Sequence, residues 1–214
     1  MTRRFTKRRS PAGSGKARFG GVKNVCVFCG SSSGRRPAYA RAARQLGAAI
    51  AEREMGLVYG GGSIGLMGVL ADAALAAGAE VVGVIPRALA RREIAHHGLT
   101  RLEVVPSMHA RKARMAKLSD AFVAMPGGIG TMEELFEVLT WGYLGIHAKP
   151  TGLLDVGGYW RPLIRLLDHA VEEGFLRPAH RKLVVVDRSP ARLLERLARH
   201  RVPAATRWID ERES

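Results

Sequence analysis

Short apolar runs recur along the chain, and each is followed by a stretch whose apolar residues have helical spacing. The runs are bounded by turn residues, as buried parallel strands are. Because strands that alternate with helices form parallel sheets, the pattern predicts an α/β fold. We expect a doubly wound, Rossmann-like parallel sheet of about seven strands with helices on both faces. The predicted strands are 24–29, 57–59, 81–85, 102–105, 121–125, 150–154 and 183–186.

Several of the intervening helices have recognisable starting residues. Pro37 is a favourable first residue of a helix that directs Leu46 and Ile50 inward. Ser107 is a candidate N-cap for a basic helix, and Ser189 for a closing amphipathic helix. These signals predict where the chain leaves each strand and begins its return across the sheet.

Charge is concentrated at the start of the chain. The formal net charge is +15, and residues 1–23 carry eight Lys/Arg and no Asp or Glu. This segment is rich in Gly and Ser without periodicity, so we expect a disordered basic tail. A transit peptide or a nucleic-acid-binding arm is the alternative. The remainder is predicted to form one domain over 24–200, with a C-terminal tail over 201–214.

Membrane and disulfide signals are both lacking in the sequence. No apolar run approaches 18 residues, and the basic start has no apolar core of a secretory signal. The two cysteines, Cys26 and Cys29, fall within one predicted strand, where their odd spacing places them on opposite faces. We therefore predict structural cysteines in a reducing cytoplasm, and no redox or zinc site.

Two glycine-containing loops follow the first two predicted strands. Gly30 and Ser31 open the first loop, where small hydroxyl residues suit a phosphate or a ribose. An ordinary turn between a strand and a helix is an equally good interpretation of these residues. The second loop, 60–68, satisfies G-x-G-x-x-G between a strand and a helix. It follows the second strand and lacks a carboxylate about twenty residues later, which argues against a dinucleotide. We expect a mononucleotide phosphate here, with Gly61, Gly62 and Ser63 as loop residues.

The segment 107–141 contains the strongest combination of signals. The predicted strand 121–125 runs into Pro126 and the glycine turn 127–130, and a helical pattern follows. Thr131 and Glu134 have the T-x-x-E spacing of a capping box, so we predict a helix start at Thr131. A helix N-terminus has free N–H groups and a positive dipole end, and it therefore binds anions.

Upstream of this motif, cationic side chains lie on a predicted helix at the carboxyl edge of a strand. Arg111 and Lys112 are adjacent, and the position after a strand is where ligands bind in α/β proteins. Exposed charge is the alternative reason for such a pair. His96 and His97 have no third residue at metal spacing, so we expect no metal.

These motifs resemble those of a known family. The sequence PGGIGTMEE is similar to the PGGxGTxxE motif of the Lonely Guy family, the cytokinin riboside 5′-monophosphate phosphoribohydrolases, and MHARKARM resembles the family's second motif. The similarity extends over roughly 24–186. The resemblance implies hydrolysis of a nucleoside monophosphate without a cofactor, by a homodimer. It implies substrate contacts at Glu93, Lys112, Gly127, Gly128, Ile129, Gly130, Thr131, Met132, Glu133 and Thr140.

The implied reaction fits the residue types. Cleavage of the bond between base and ribose passes through an oxocarbenium-like sugar, which a nearby carboxylate stabilises. Glu134 is the candidate, either as this stabiliser or by holding ribose hydroxyls and water. Glu133 is about 100° further round the helix and cannot share the role in the same orientation. Arg111 is the second catalytic candidate, holding the leaving base or fixing the orientation of Glu134.

Two other functions are consistent with parts of the sequence. A non-catalytic nucleotide- or nucleic-acid-binding protein would account for the charge, but the core lacks the alternation of aromatic and basic residues on which single strands stack. Pyridoxal-phosphate decarboxylation would require a lysine in a cofactor-binding setting, and no lysine stands out in this way. We therefore expect a nucleotide substrate, with neither nucleic acid nor membrane as a partner.

Overall fold

The computed structural model describes residues 21–90 and 94–202. Within these ranges, seven parallel strands form one sheet in the order β4-β3-β2-β1-β5-β6-β7. The strands are β1 (Asn24–Phe28), β2 (Gly56–Tyr59), β3 (Val81–Pro86), β4 (Arg101–Val105), β5 (Ala121–Ala124), β6 (Thr151–Leu154) and β7 (Val184–Asp187). The predicted doubly wound α/β sheet is therefore confirmed, with each strand end shifted by at most one residue. The predicted domain limits at 24–200 stay a prediction.

Helices connect the strands and cover both faces of the sheet. They are α1 (Pro37–Glu52), α2 (Gly65–Ala76), α3 (Arg87–Ala90), α4 (Met108–Leu118), α5 (Ile129–Tyr143), α6 (Arg161–Glu172), α7 (Pro178–Arg181) and α8 (Pro190–Arg199). Two predicted caps are confirmed. The Ser107 hydroxyl accepts from the Ala110 N–H at 3.1 Å, and the Ser189 hydroxyl accepts from the Arg192 N–H at 3.5 Å. Across the described residues, no helix is long and apolar enough to cross a membrane.

The predicted capping box at Thr131 is wrong. Helix α5 begins at Ile129, and Gly128 is its N-cap without a side-chain cap bond. The reason is that glycine is itself tolerated at an N-cap, so the glycine turn can cap the helix at Gly128, three residues before Thr131. Thr131 is buried in the first turn, where a Cβ on Gly127 would come within 2.1 Å of its hydroxyl oxygen. Glu134 is consequently available for a tertiary contact.

The core lies on both sides of the central strand β1. Cys29 faces the apolar cluster beneath α1, α2 and α8, whereas Cys26 faces the cluster that includes Met115 of α4 and Val138 of α5. Both cysteines are buried and unpaired, on opposite faces as predicted. Beyond β1 the chain adds β2 on one side and β5 on the other. In doubly wound sheets this switch point opens a crevice at the carboxyl ends of the strands.

Candidate active site

A cavity of about 410 Å³ opens at this switch point. Its polar wall comes from segments that directly follow strands: Ser31 after β1, Gly60 and Gly62 after β2, and Gly128 after β5. The first turn of α5 and the Arg111 side chain of α4 complete this wall. The apolar wall consists of Val27, Phe28, Cys29, Ile64, Met67, Ile85, Leu89 and Ile94.

Arg111 enters the cavity from the first turn of α4 and is held at two points. Its Nε donates to the Val84 carbonyl oxygen at 3.1 Å, and its Nη1 lies 3.3 Å from Glu134 Oε1. Only 11% of its side chain is exposed. A Cβ at Gly60 would lie 1.9 Å from Arg111 Nη2, so the first glycine of the G-x-G-x-x-G pattern makes room for the guanidinium group.

Glu134 lies one turn into α5 and is 7% exposed. Burial raises its pKa from 4.5 to about 7, with the positive charge of Arg111 opposing the shift and the negative charge of Glu133 adding to it. A carboxyl group that titrates near neutral pH beside a fixed cation is typical of an active site. The predicted catalytic pair is therefore brought together in one buried contact.

The N-terminus of α5 borders the cavity. Gly128, Ile129, Gly130 and Thr131 line the cavity beside Glu134. The first N–H groups of a helix have no partner within the helix, and they coincide with the positive end of its dipole. An anionic group of a ligand is therefore best placed at this first turn, a few residues from the Glu134 carboxyl group.

The turn before α5 is fixed to its surroundings. Gly30 N–H donates to the Pro126 carbonyl oxygen at 3.1 Å, and the Tyr159 hydroxyl donates to the Gly127 carbonyl oxygen. Gly30 and Gly127 line a second, smaller cavity of about 200 Å³, and Ser31 borders both cavities. These bonds connect the loop after β1 to the turn after β5.

The second glycine loop is largely occupied by protein contacts. Ser63 N–H donates to the Ile94 carbonyl oxygen at 2.9 Å, and His96 N–H donates to the Gly61 carbonyl oxygen at 2.9 Å. Gly62 lines the main cavity and pairs with Ala95 in an isolated bridge, whereas Gly61 and Ser63 are not among the cavity-lining residues. Their phosphate role stays a prediction, and the geometry favours the α5 terminus for the anion.

Several residues implied by the resemblance lie away from the cavity. Lys112 Nζ contacts Glu133 and lies 2.8 Å from Glu137 Oε1. Met132 is half-buried against an apolar cluster on the sheet. The Thr140 hydroxyl donates to the Phe136 carbonyl oxygen at 2.7 Å and borders a separate cavity. Glu93 lies outside the described residues.

Reasoning from the sequence missed the apolar wall of the main cavity. Met67 comes from α2, whereas Ile85, Leu89 and Ile94 lie within the ten residues 85–94, and the four share no motif. The available signal was positional: Ile85 is near the end of β3, at the carboxyl edge where ligands bind. It also missed the function of Gly60, because only the folded chain places Arg111 against that residue.

Comparisons with known proteins show which proteins this chain is similar to. A family model described as "Possible lysine decarboxylase" matches residues 67–197. The Arabidopsis thaliana cytokinin riboside 5′-monophosphate phosphoribohydrolase LOG7 is 53% identical over 170 residues, covering 79% of this chain and 77% of that protein. The Rhodococcoides fascians cytokinin riboside 5′-monophosphate phosphoribohydrolase is 56% identical over 165 residues, covering 77% of this chain and 83% of that protein.

Solved structures support the fold. The molybdenum cofactor carrier protein of Chlamydomonas reinhardtii superposes with a TM-score of 0.59 at 23% identity, covering 79% of this chain and 91% of that one. The molybdenum cofactor binding protein of Rippkaea orientalis gives a TM-score of 0.59 at 22% identity, covering 78% of this chain and 90% of that one. At such identities the likeness concerns the fold alone. The family model and the relatives at about half identity show that this chain belongs to the Lonely Guy family of cytokinin riboside 5′-monophosphate phosphoribohydrolases.

Proposed function

We propose that this protein hydrolyses the N-glycosidic bond of cytokinin riboside 5′-monophosphates, which are N6-substituted AMP, to the free base and ribose 5-phosphate. The observation that carries the proposal is the buried contact of 3.3 Å between Arg111 and Glu134, beside the N-terminus of α5 in one cavity. The names of the relatives at about half identity support this reaction in preference to the decarboxylase label of the family model.

The 5′-phosphate binds at the first turn of α5. Gly128, Ile129, Gly130 and Thr131 present this turn to the cavity. Backbone N–H groups and the helix dipole are fixed before the substrate arrives, so they attract a dianion without reorganisation. The phosphate is remote from the bond that breaks, and its binding energy holds the ribose at the reacting position.

Glu134 and Arg111 act on the sugar and the base. Water adds its oxygen to C1′ as the C1′–N9 bond breaks, and the base departs with a proton that derives from that water. The Glu134 carboxylate stabilises the positive charge that develops on the ribose, or it holds the ribose hydroxyls and the water. Arg111 holds the departing base, or it fixes the orientation and ionisation of Glu134 across their 3.3 Å contact.

The apolar wall suits a purine with an apolar substituent, and the same site accepts plain AMP in our proposal. Met67, Ile85, Leu89 and Ile94 provide this wall in the same cavity as the first turn of α5. Cavities of this kind bind ligands through apolar area and are oriented by a few polar groups. Incubation with AMP and with N6-isopentenyl-AMP, followed by quantification of the free base, ranks the two substrates.

A homodimer is the assembly that we propose, in a reducing cytoplasm. Helix α5 exposes Ile129, Phe136 and Tyr143 at seven-residue intervals, with exposed fractions of 82%, 41% and 37%. Large apolar side chains along one helix face favour burial against a partner. Two buried cysteines without a disulfide support the reducing compartment.

Substitution of the pair tests the reaction. We expect Glu134→Gln and Arg111→Ala each to lower kcat/KM for AMP or N6-isopentenyl-AMP at least a hundredfold, because charge stabilisation in the transition state is lost. Arg114→Ala is the matched control, since Arg114 lies on the same helix and pairs with Glu103. Free base released at the wild-type rate by either variant of the pair would refute the assignment.

A further inference from the structure

The two neighbouring cations of α4 have different surroundings. Arg111 reaches into the cavity, whereas Lys112 turns to α5 and contacts the carboxylates of Glu133 and Glu137, the latter at 2.8 Å. Its side chain is 10% exposed and does not line the cavity. A lysine with its ammonium group bound by two carboxylates has little capacity left for a substrate phosphate.

The two carboxylates lie on either side of Glu134 along the same helix. Glu137 is partly buried at 21% side-chain exposure, and its Oε2 is buried without a hydrogen-bond partner among the described residues. In the part of the chain that the structure describes, Lys112 is therefore the cation that balances these charges at close range. If it were removed, two uncompensated negative charges would remain within a turn of the reacting carboxyl group.

We propose that Lys112 is a positioning residue for the reaction: by binding Glu133 and Glu137 it holds α4 against α5 and shields Glu134 from their negative charge. This inference rests on the proposed function and revises the substrate-binding role that the family resemblance implies for Lys112 and for Glu133, since the two bind each other and neither lines the cavity. The contact fixes the distance between the helix that carries Arg111 and the helix that carries Glu134.

The titratable groups near Glu134 come from three elements. Helix α4 contributes Arg111 and Lys112, whose positive charges lower the Glu134 pKa, and α5 contributes Glu133 and Glu137, whose negative charges raise it. Strand β1 and the residue that follows it contribute the thiols of Cys26 and Cys29. Burial raises the pKa of both thiols, so they stay neutral over the working range of pH.

The variant Lys112→Met removes the charge and keeps a chain of similar length. We expect the pH midpoint of Glu134 ionisation to rise by roughly one unit. Since Glu134 is half ionised near pH 7 in the wild type, kcat at pH 7 falls about fivefold and recovers by pH 9, with KM unchanged. Lys112→Arg, which keeps the cation, restores most of the activity at pH 7.

A triple variant separates positioning from substrate binding. Combining Lys112→Met with Glu133→Gln and Glu137→Gln removes the cation together with both carboxylates, so the wild-type pH profile returns if Lys112 acts through them. If Lys112 contacts the substrate, the triple variant remains as impaired as Lys112→Met, KM is raised at every pH, and the proposal is overturned. Should Lys112→Met fail to fold, Glu137→Gln alone is expected to lower the Glu134 midpoint, and an unchanged midpoint contradicts the proposal.

A measurement made without substrate tests the role of Lys112 independently of nucleotide cleavage. The Glu134 carboxyl carbon is labelled with carbon-13, and its NMR signal is assigned by its loss in Glu134→Gln. The pH dependence of this signal is then measured in the wild type and in Lys112→Met. A raised midpoint in Lys112→Met supports the positioning role even if the wild type cleaves no nucleotide, and identical midpoints exclude it even if the wild type is active.

Discussion

At the scale of single residues, Gly60 shows how a backbone position can serve a side chain elsewhere. A Cβ at Gly60 would approach Arg111 Nη2 to 1.9 Å, and the guanidinium is the mobile end of a flexible side chain. We expect Gly60→Ala to fold with a loss of less than about 1 kcal/mol, because Arg111 can move away. Activity should fall about tenfold or more, since Arg111 leaves its position beside Glu134.

The control for this substitution is Gly142→Ala in α5, where a Cβ would meet His147 Cε1 at an ordinary 3.4 Å. Both variants are compared by urea denaturation and by release of free base. If Gly60→Ala retains full activity, Arg111 does not need the space that Gly60 provides. If it unfolds, Arg111 cannot move as we expect.

The ionisation of Glu134 makes the free energy of unfolding depend on pH. Burial raises its pKa from 4.5 to about 7, so between these values the native protein holds a proton that the unfolded chain releases. Its contribution to stability is complete below pH 4.5 and is lost as pH rises through 7. Glu134→Gln removes this dependence. From pH 5 to pH 8 we expect the free energy of unfolding of the wild type to fall by about 2 kcal/mol relative to the variant.

Urea denaturation of both proteins at pH 5 and pH 8 measures this difference. The comparison with Glu134→Gln cancels the contributions of the other titrating groups, which the two proteins share. Parallel pH profiles would indicate that Glu134 ionises in the native protein as it does in the unfolded chain.

At the scale of elements, the sequence predicted the strands more reliably than the start of the principal helix. Apolar runs bounded by turn residues located all seven strands in the described ranges, because burial on both faces leaves few polar residues in a parallel strand. The start of α5 was misplaced because Thr131 and Glu134 satisfy a capping pattern that depends only on local spacing. The tertiary contact from Arg111 to Glu134 is not encoded in that spacing.

A substitution in helix α5 tests the proposed homodimer. Phe136 lies at the middle of the exposed seven-residue repeat formed with Ile129 and Tyr143. A carboxylate at this position would have to be buried in the proposed interface without a partner, so we expect Phe136→Asp to convert dimers to monomers at micromolar concentration. Light scattering coupled to size-exclusion chromatography measures the mass.

Val104→Asp is the control for Phe136→Asp, because Val104 is 50% exposed on the edge strand β4, outside the repeat. We expect this variant to remain dimeric. A wild-type protein that is already monomeric, or a Phe136→Asp variant that keeps its dimer mass, would place any interface elsewhere.

At the scale of the whole molecule, the order of the strands brings the site together. Residues that follow β1, β2 and β5 meet in one cavity because these three strands are neighbours at the switch point. Local patterns in the sequence predicted the sheet, and the family resemblance singled out Arg111 and Glu134, which the structure places 3.3 Å apart. It did not predict the apolar wall or the partners of Lys112, which depend on how distant elements pack.

The basic segment at the start of the chain allows a test that distinguishes a hydrolase from a nucleic-acid-binding protein. Residues 1–20 hold seven Lys/Arg and no Asp or Glu, so their removal lowers the formal charge from +15 to +8. We expect a variant without them to cleave nucleotide at the wild-type rate, because the cavity is built from the described residues. Retention on immobilised duplex DNA at low salt should be lost when the segment is removed. For the full chain, a plot of the logarithm of the DNA-binding constant against the logarithm of the salt concentration should have a slope no steeper than about −6. This is the value for seven phosphate contacts. Steep salt-dependent retention that survives truncation, together with no release of base, would favour the nucleic-acid-binding function.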